Sequence, residues 1–266
     1  MDHAPDIRPL LAHLVPWTLV TFRIAGVFVM APLLTSLMIP ARYKALLAVL
    51  LGCAVYPVLA DRIHAPPEVD VIGLVPLLFA EALIGLVIGA IAALPLLSLE
   101  MAGILMGQNM GFGLARIYNP EADFDTDILG QLLFYIAAAA FIAVGGLEHL
   151  LLAILDTFDR VPLGGFDASR VPLDAFVGTL TSGFELAFRV SLPVTGIVLL
   201  LVVVFGVVGK TMPQINIMSV GFTIKIVCGL LMFALAIYAV RDAVGDEIDG
   251  VLAGVRRWAV SLGGAA

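Results

Sequence analysis

The sequence predicts an all-α integral membrane protein built from several long helices. Apolar residues make up 61% of the 266 residues and charged residues only 13%, whereas a soluble domain is about 45–50% apolar and about a quarter charged. Residues 131–147 and 190–209 contain no charged side chain at all. Apolar runs of about 18 residues or more are typical of membrane-spanning helices. No strand-like alternation appears, and helices are then the remaining way to span a bilayer.

The apolar runs and the prolines between them place the individual helices. A proline cannot continue a helical hydrogen-bond ladder, so prolines at 40, 66, 67, 162 and 172 mark breaks. We predict one membrane domain over 1–266, with an amphipathic C-terminal helix inside 240–266. The predicted helices cover 9–39, 43–60, 71–106, 128–157, 174–209 (kinked at Pro193), 214–240 and, as the amphipathic one, 244–262.

The predicted helices are too long for a simple bundle of spans. A helix over 128–157 would be roughly 45 Å long at ~1.5 Å per residue, whereas the hydrocarbon core is about 30 Å thick. Either the helices tilt or other apolar proteins cover part of their surface. The C-terminal helix leaves a similar choice, because its apolar face fits a membrane surface or a partner protein.

Composition and motifs exclude several classes of function. The net charge of −7 gives no basic footprint for a nucleic acid. Asp123, Asp125 and Asp127 imitate the start of a calcium loop, but the expected glycine is Ile128 and the final acid is Phe134. No catalytic or phosphate-binding pattern is present. We therefore expect no enzyme activity, no cofactor and no metal ion.

Polar side chains inside the apolar runs are the first candidate functional residues. Charges at membrane depth are costly and usually pair inside a bundle. Glu185 and Arg189 are four residues apart, a spacing that permits an ion pair on one helix face. Structural pairing for assembly and an ion relay are the two readings, and pairing is favoured. The candidates are Arg23, Glu81, Glu185, Arg189 and Lys225, with the amides of Gln214 and Asn216, which need hydrogen-bond partners.

The segment after the third helix is the second candidate. Gly103, Gly107 and Gly111 recur every four residues, a spacing that lets helix backbones approach closely. Glycines on both sides of Phe112 favour a break in the helix. Irregular backbone at membrane depth must be buried in protein or line an aqueous path. The segment is therefore either a plug in a conduit or a re-entrant hairpin; its residues are Met106, Met110, Gly111, Phe112, Gly113, Leu114 and Ala115.

Four stretches together resemble the FliR/MopE/SpaR family of inner-membrane export-apparatus proteins. They stand in the family's order, and from the first to the last they span most of the chain's length. No single stretch is diagnostic, but the ordered set is fairly specific. The stretches are Phe22–Leu51, Gly107–Pro120, Gly145–Gly164 and Met212–Ile226.

The resemblance implies a subunit of the type III protein export gate, most simply the flagellar one, in the bacterial inner membrane and the flagellar basal body. It implies packing into a hetero-oligomeric helical assembly with FliP-like and FliQ-like subunits. FlhB-like and FlhA-like components would lie nearby, membrane lipid outside, and unfolded flagellar proteins would be the cargo. In this family the segment matching 107–118 plugs the pore. The alternatives are a virulence secretion subunit or, from another class, a secondary transporter of a small solute.

Overall fold

A computed structural model describes residues 8–31, 33, 40–60, 71–112, 128–165, 173–212, 214, 216, 219–235, 250, 253 and 254. Within these ranges the chain is helical, with turns between helices and no β-strand. The predicted all-α fold class is therefore confirmed. The helices are α1 (Arg8–Met30), α2 (Ala41–Leu59), α3 (Val71–Met110), α4 (Ile128–Ala143), α5 (Gly146–Arg160), α6 (Leu173–Thr211) and α7 (Ser219–Leu235).

The chain divides into two compact units. The first comprises the described parts of Met1–Ala93, Gly145–Thr179 and Val251–Ala266, and the second those of Leu94–Val144 and Leu180–Gly250. Helix α3 has one portion in the first unit and one in the second, and so does helix α6. Every side chain discussed below has its contacts inside one unit.

The first unit has a core of aliphatic side chains from α1, α2, α3 and α5. In α3, Ile84, Ile88 and Ile91 recur at helical spacing and are completely or almost completely buried. Helix α5 buries Leu150, Ile154 and Phe158 on one face. Because these residues repeat every three or four positions, each helix turns a continuous apolar stripe toward the others.

The second unit repeats this principle with smaller side chains. Helix α4 buries Leu129, Leu133, Ala137 and Phe141, which lie four residues apart. The matching stripe of α3 is completely buried and consists of Leu96, Leu99, Ala102, Met106 and Met110. The alanines and glycines among these stripes let the helix axes come close together.

Among the described residues, four helices are long and apolar enough to cross a membrane, or five spans result if α4 and α5 count as one interrupted span. Helix α3 has 40 residues and α6 has 39, which gives each a length near 60 Å at ~1.5 Å per residue. Helix α6 continues through Pro193. An 18-residue apolar segment within Phe176–Thr211 is 11% buried inside the chain, whereas an 18-residue apolar segment within Ile72–Met110 is 61% buried. The protein is a multi-pass membrane protein.

Several predicted helix boundaries were wrong. Helix α1 ends at Met30 rather than 39, because Ala31 precedes Pro32 and a residue before proline avoids the helical region. The helix predicted over 128–157 is two helices, since Gly145 has φ +75° and no i→i−4 ladder continues through that conformation. Helix α3 extends past 106 to Met110. The amphipathic helix at 244–262 lies almost wholly outside the described residues.

Candidate functional site

Helices α1 and α3 approach so closely that only glycine fits at their crossing. A Cβ added to Gly85 would collide with the carbonyl oxygen of Arg23, and one added to Gly26 would collide with that of Ala82. Gly85 and Gly89 have the same four-residue spacing as Gly103 and Gly107, and α1 is the helix that approaches them. Glu81 precedes Gly85 by one turn, so the contact brings its side chain against that of Arg23.

Arg23 and Glu81 form a completely buried ion pair. The Arg23 Nε donates to Glu81 Oε2 at 2.5 Å, and neither side chain has any exposed surface. The backbone N–H of Gly164 donates to the other carboxylate oxygen, Oε1, at 2.9 Å. The prediction that these lone charges pair inside the protein is confirmed for these two residues.

The remaining guanidinium donors of Arg23 reach helix α5 and the turn that follows it. Nη1 donates to Thr157 Oγ1 and Nη2 to the carbonyl oxygen of Val161, both at 3.2 Å. The ring of Phe158 lies against the guanidinium, with Cζ 4.3 Å from the ring centroid, a cation–π geometry. Sequence analysis did not single out Thr157, Phe158 or Val161, although they lie inside one of the stretches that carry the family resemblance.

This Arg23 network joins three elements that are far apart in sequence: α1, α3 and the end of α5 with its turn. A buried ion pair is tolerated when hydrogen bonds also satisfy its remaining lone pairs and protons. Here both carboxylate oxygens of Glu81 accept a bond, and Arg23 donates three. Such a closed set fixes the relative position of the elements and leaves neither oxygen open to water.

Helix α3 ends in a glycine-terminated turn. Gly111 has φ +96°, its N–H donates to the carbonyl oxygen of Gln108, and the Phe112 N–H donates to that of Gly107. This is the Schellman pattern, in which two amides beyond the helix satisfy two of its last carbonyl groups. The predicted break at Gly111 is confirmed. Gly113, Leu114 and Ala115 lie outside the described residues.

The two methionines before this turn are completely buried within the second unit, while Gly111 and Phe112 are half-buried. Met110 lies against Gly229 of α7. Gly103 faces the backbone of Leu129 and Gly130 in α4 with no room for a Cβ, so the predicted close approach at Gly103 is also confirmed. The methionines thus anchor the end of α3. Of the candidate plug residues that follow them, the two that the structure describes, Gly111 and Phe112, are half-buried.

The polar residues of α6 and α7 behave differently from Arg23 and Glu81. Glu185 and Arg189 are both exposed, and no ion pair joins them in the described part of the chain, so the local pair expected from their spacing is wrong. Their side chains extend outward from α6, and the exposed rings of Phe184 and Phe188 are their neighbours in sequence on the same helix. Lys225 is half-buried and has no ion-pair partner among the described residues.

The two amides before α7 have separate outcomes. Asn216 Oδ1 accepts from the Ser219 N–H at 3.3 Å, and the Val220 N–H donates to the Asn216 carbonyl oxygen. Asn216 therefore caps the N-terminus of α7, and the Ser219 N–H is the hydrogen-bond partner that its side-chain amide required. Gln214 is exposed. The described part of α7 begins at Ser219. The predicted start at 214 was too early, because a cap residue stands outside the helix that it caps.

Long apolar helices, a buried charge network and a glycine-broken helix end define a polytopic membrane protein with no group of metal-binding side chains among its described residues. Comparison with known proteins identifies the family. The model of bacterial export proteins, family 1, matches residues 14–251. The chain belongs to this family and is a component of type III protein export.

Individual relatives come from flagellar and from virulence systems. The chain is 28% identical over 220 residues to the flagellar biosynthetic protein FliR of Bacillus subtilis, covering 80% of this chain and 83% of the relative. It is 25% identical to FliR of Escherichia coli K12, covering 80% of each. It is also 26% identical to the Yop proteins translocation protein T of Yersinia pestis, covering 88% of each.

Proposed function

We propose that this chain is the FliR-like subunit of a flagellar export gate in the bacterial inner membrane and basal body. It packs with FliP-like and FliQ-like subunits around a channel, with FlhB-like and FlhA-like components beside it. The turn that begins at Gly111 obstructs the closed channel, through which unfolded flagellar proteins pass. The chain is a channel subunit and performs no catalysis.

The observation that carries the proposal is the uncovered surface of α6. Its apolar stretch Phe176–Thr211 contains 36 residues, and an 18-residue apolar segment within it is 11% buried inside the chain. The length of the stretch, about 54 Å, exceeds the hydrocarbon thickness of about 30 Å. Exposed apolar side chains such as Leu180 and Val207 lie near its two ends. To lie wholly within the hydrocarbon layer, a helix of this length would have to tilt by about 56°, beyond the roughly 0–40° range of transmembrane helices. This supports apolar protein neighbours over tilt as the reason for its length.

The exposed charges of α6 support the same conclusion. Glu185 and Arg189 have no ion-pair partner among the described residues, and charges in an apolar surface require opposite charges or hydrogen-bonding groups. We propose that Glu185 and Arg189, together with Lys225, pair with neighbouring subunits and serve assembly. Arg23, Glu81, Gln214 and Asn216 serve assembly indirectly, because they hold this chain's own helices in place.

Co-purification tests the assembly. A tagged copy isolated in mild detergent should bring two further small membrane proteins with it, in fixed ratio and in one size-exclusion peak. Alanine at Glu185 or Arg189 should reduce the yield of this complex, while alanine at Glu148, an exposed glutamate of α5, should not. A tagged chain that is monodisperse alone and binds a small solute would refute the proposal in favour of a secondary transporter.

Ion leakage tests the plug. Deleting Gly111–Ala115 from a complex that still assembles should raise its conductance in a planar bilayer, because the obstructing turn is gone. Substituting Phe112 by alanine should have a smaller effect in the same direction. An unchanged conductance in the correctly assembled deletion complex would show that the turn fills a gap between helices instead.

A second candidate is the equivalent subunit of a virulence secretion system, which the Yersinia relative and SpaR of Salmonella typhimurium, 24% identical over 228 residues, favour. The two candidates differ in cargo and not in chemistry. Removing the chain from its host and measuring swimming motility separates them. Loss of flagella supports the flagellar gate, whereas intact flagella with lost export of effector proteins supports the virulence system.

A further inference from the structure

The end of α3 is held by its neighbours in the second unit as well as by its own turn. The side chain of Met110 has no exposed surface and lies flat on Gly229 of α7. A Cβ at position 229 would be 2.7 Å from Met110 Cε, 2.8 Å from Cγ and 3.0 Å from Sδ. Met110 therefore occupies the space that any other residue at 229 would need.

A hydrogen bond holds the preceding residue to a different helix. Asn109 Nδ2 donates to the carbonyl oxygen of Leu105 in its own helix at 2.7 Å and to Thr195 Oγ1 of α6 at 3.3 Å. Consecutive residues of α3 thus contact α6 and α7. Gly111, which turns the chain out of the helix, follows immediately.

We infer that Gly229 and Thr195 are positioning residues that set the direction in which the turn Gly111–Phe112 leaves α3. The inference rests on the proposed function of this turn as the plug. Met110 directly precedes the left-handed residue, so a shift of its Cα reorients the turn as a rigid piece. The bare Cα of Gly229 is the seat that keeps Met110 in place, and the position of α7 therefore determines the resting position of the plug.

A glycine substitution with a matched control tests the seat. Gly229→Ala adds one methyl group against Met110, whereas Gly196→Ala in α6 adds the same group into open space. Alanine improves helix propensity at both sites, so a defect confined to position 229 arises from packing. Both variants are made in the full chain and assembled into the complex.

The readout is the labelling rate of a Phe112→Cys probe by a water-soluble maleimide, with Cys53 and Cys228 replaced by alanine. One extra methyl group in a tightly packed site shifts a local equilibrium by about tenfold, which converts to ~1.4 kcal/mol. We expect Gly229→Ala to change the labelling rate by about this factor and to raise the ion leak, and Gly196→Ala to change neither. Adding Met110→Ala to Gly229→Ala should return the labelling rate toward that of the unsubstituted chain, because it vacates the contested space.

Equal labelling rates in the two alanine variants would overturn the inference. Should Gly229→Ala prevent assembly, Thr195→Val decides instead, because it removes the acceptor of Asn109. Its control, Thr223→Val, removes a hydroxyl whose bond among the described residues lies within its own helix. A Thr195→Val rate equal to that of the control overturns the inference too. If deleting Gly111–Ala115 leaves the leak unchanged while Gly229→Ala shifts labelling, the plug function fails and the positioning role stands.

Discussion

Replacing Arg23 by methionine should destabilise the isolated chain severely. Arg23 donates to Glu81, Thr157 and the Val161 carbonyl oxygen, and it stacks on Phe158. Methionine retains much of the aliphatic stem but none of the donors. Glu81 is then left buried with only the Gly164 N–H, whereas Thr157 still donates to the carbonyl oxygen of Ile154. The uncompensated carboxylate therefore dominates the cost.

Removing one partner of a buried ion pair costs about 3–5 kcal/mol. At about 2–4 °C per kcal/mol for chains of roughly this size, the apparent Tm should fall by ~6–20 °C. The measurement is the fraction of detergent-solubilised chain that remains monodisperse on size exclusion after heating. The matched control is Arg189→Met, the same chemical change at an exposed position, which should shift the midpoint by ~2 °C or less.

The double variant Arg23→Met with Glu81→Met separates charge from packing. With both charges removed, the main loss is the acceptor of the Gly164 N–H, an orphaned donor that costs about 1–3 kcal/mol. The double variant should therefore be more stable than Arg23→Met alone. The reasoning is refuted if Arg23→Met has the same melting midpoint as Arg189→Met, or if adding Glu81→Met to Arg23→Met lowers the midpoint further.

Three further tests concern the close approach at Gly103, the helix cap at Asn216 and the exposed charges of α6. Gly103→Ala should lower the melting midpoint, because its methyl group meets the backbone of α4. Gly206→Ala places its methyl group in open space and should leave the midpoint unchanged or raise it, because alanine adds ~1 kcal/mol of helix propensity over glycine. Equal midpoints in the two variants would contradict the close approach. Asn216→Ala should cost about 0.5–2 kcal/mol through loss of the α7 cap, measured as a lower midpoint, and Asn216→Asp should retain most of it. Glu185→Ala and Arg189→Ala should reduce complex yield without changing the midpoint of the isolated chain, and a lowered midpoint would place these side chains in the chain's own packing.

The sequence predicted the helices well where composition alone decides them. Helices α2, α3 and α6 begin and end within a few residues of their predicted bounds, because uninterrupted apolar runs leave the backbone no other way to satisfy its polar groups in a membrane. The break at Gly145 was missed. Val144 and Leu147 flank it with the same hydropathy as the helices, and whether two adjacent glycines bend or continue a helix depends on tertiary packing.

The two charged residues of the Arg23 network could be predicted from the sequence, but their arrangement and their other hydrogen-bond partners could not. A lone arginine and a lone glutamate in apolar runs indicate a buried ion pair, and Arg23 and Glu81 were both among the residues predicted to pair. Their mutual pairing spans 58 residues, and Thr157 and Gly164 join from another region of the chain. Glu185 and Arg189, by contrast, have the sequence spacing of a pair but face outward. Spacing along one helix identifies which groups can meet, and only packing determines whether burial makes them do so.

The closure at the end of α3 has a consequence for where that end can lie. Because the amides of Gly111 and Phe112 bond back to the carbonyls of Gln108 and Gly107, two of the terminal acceptors need neither headgroups nor water. Most helices finish at an aqueous boundary, where solvent supplies those donors. This one carries its own donors for two of its four terminal carbonyls, so its terminus depends less on water or headgroups than that of an uncapped helix.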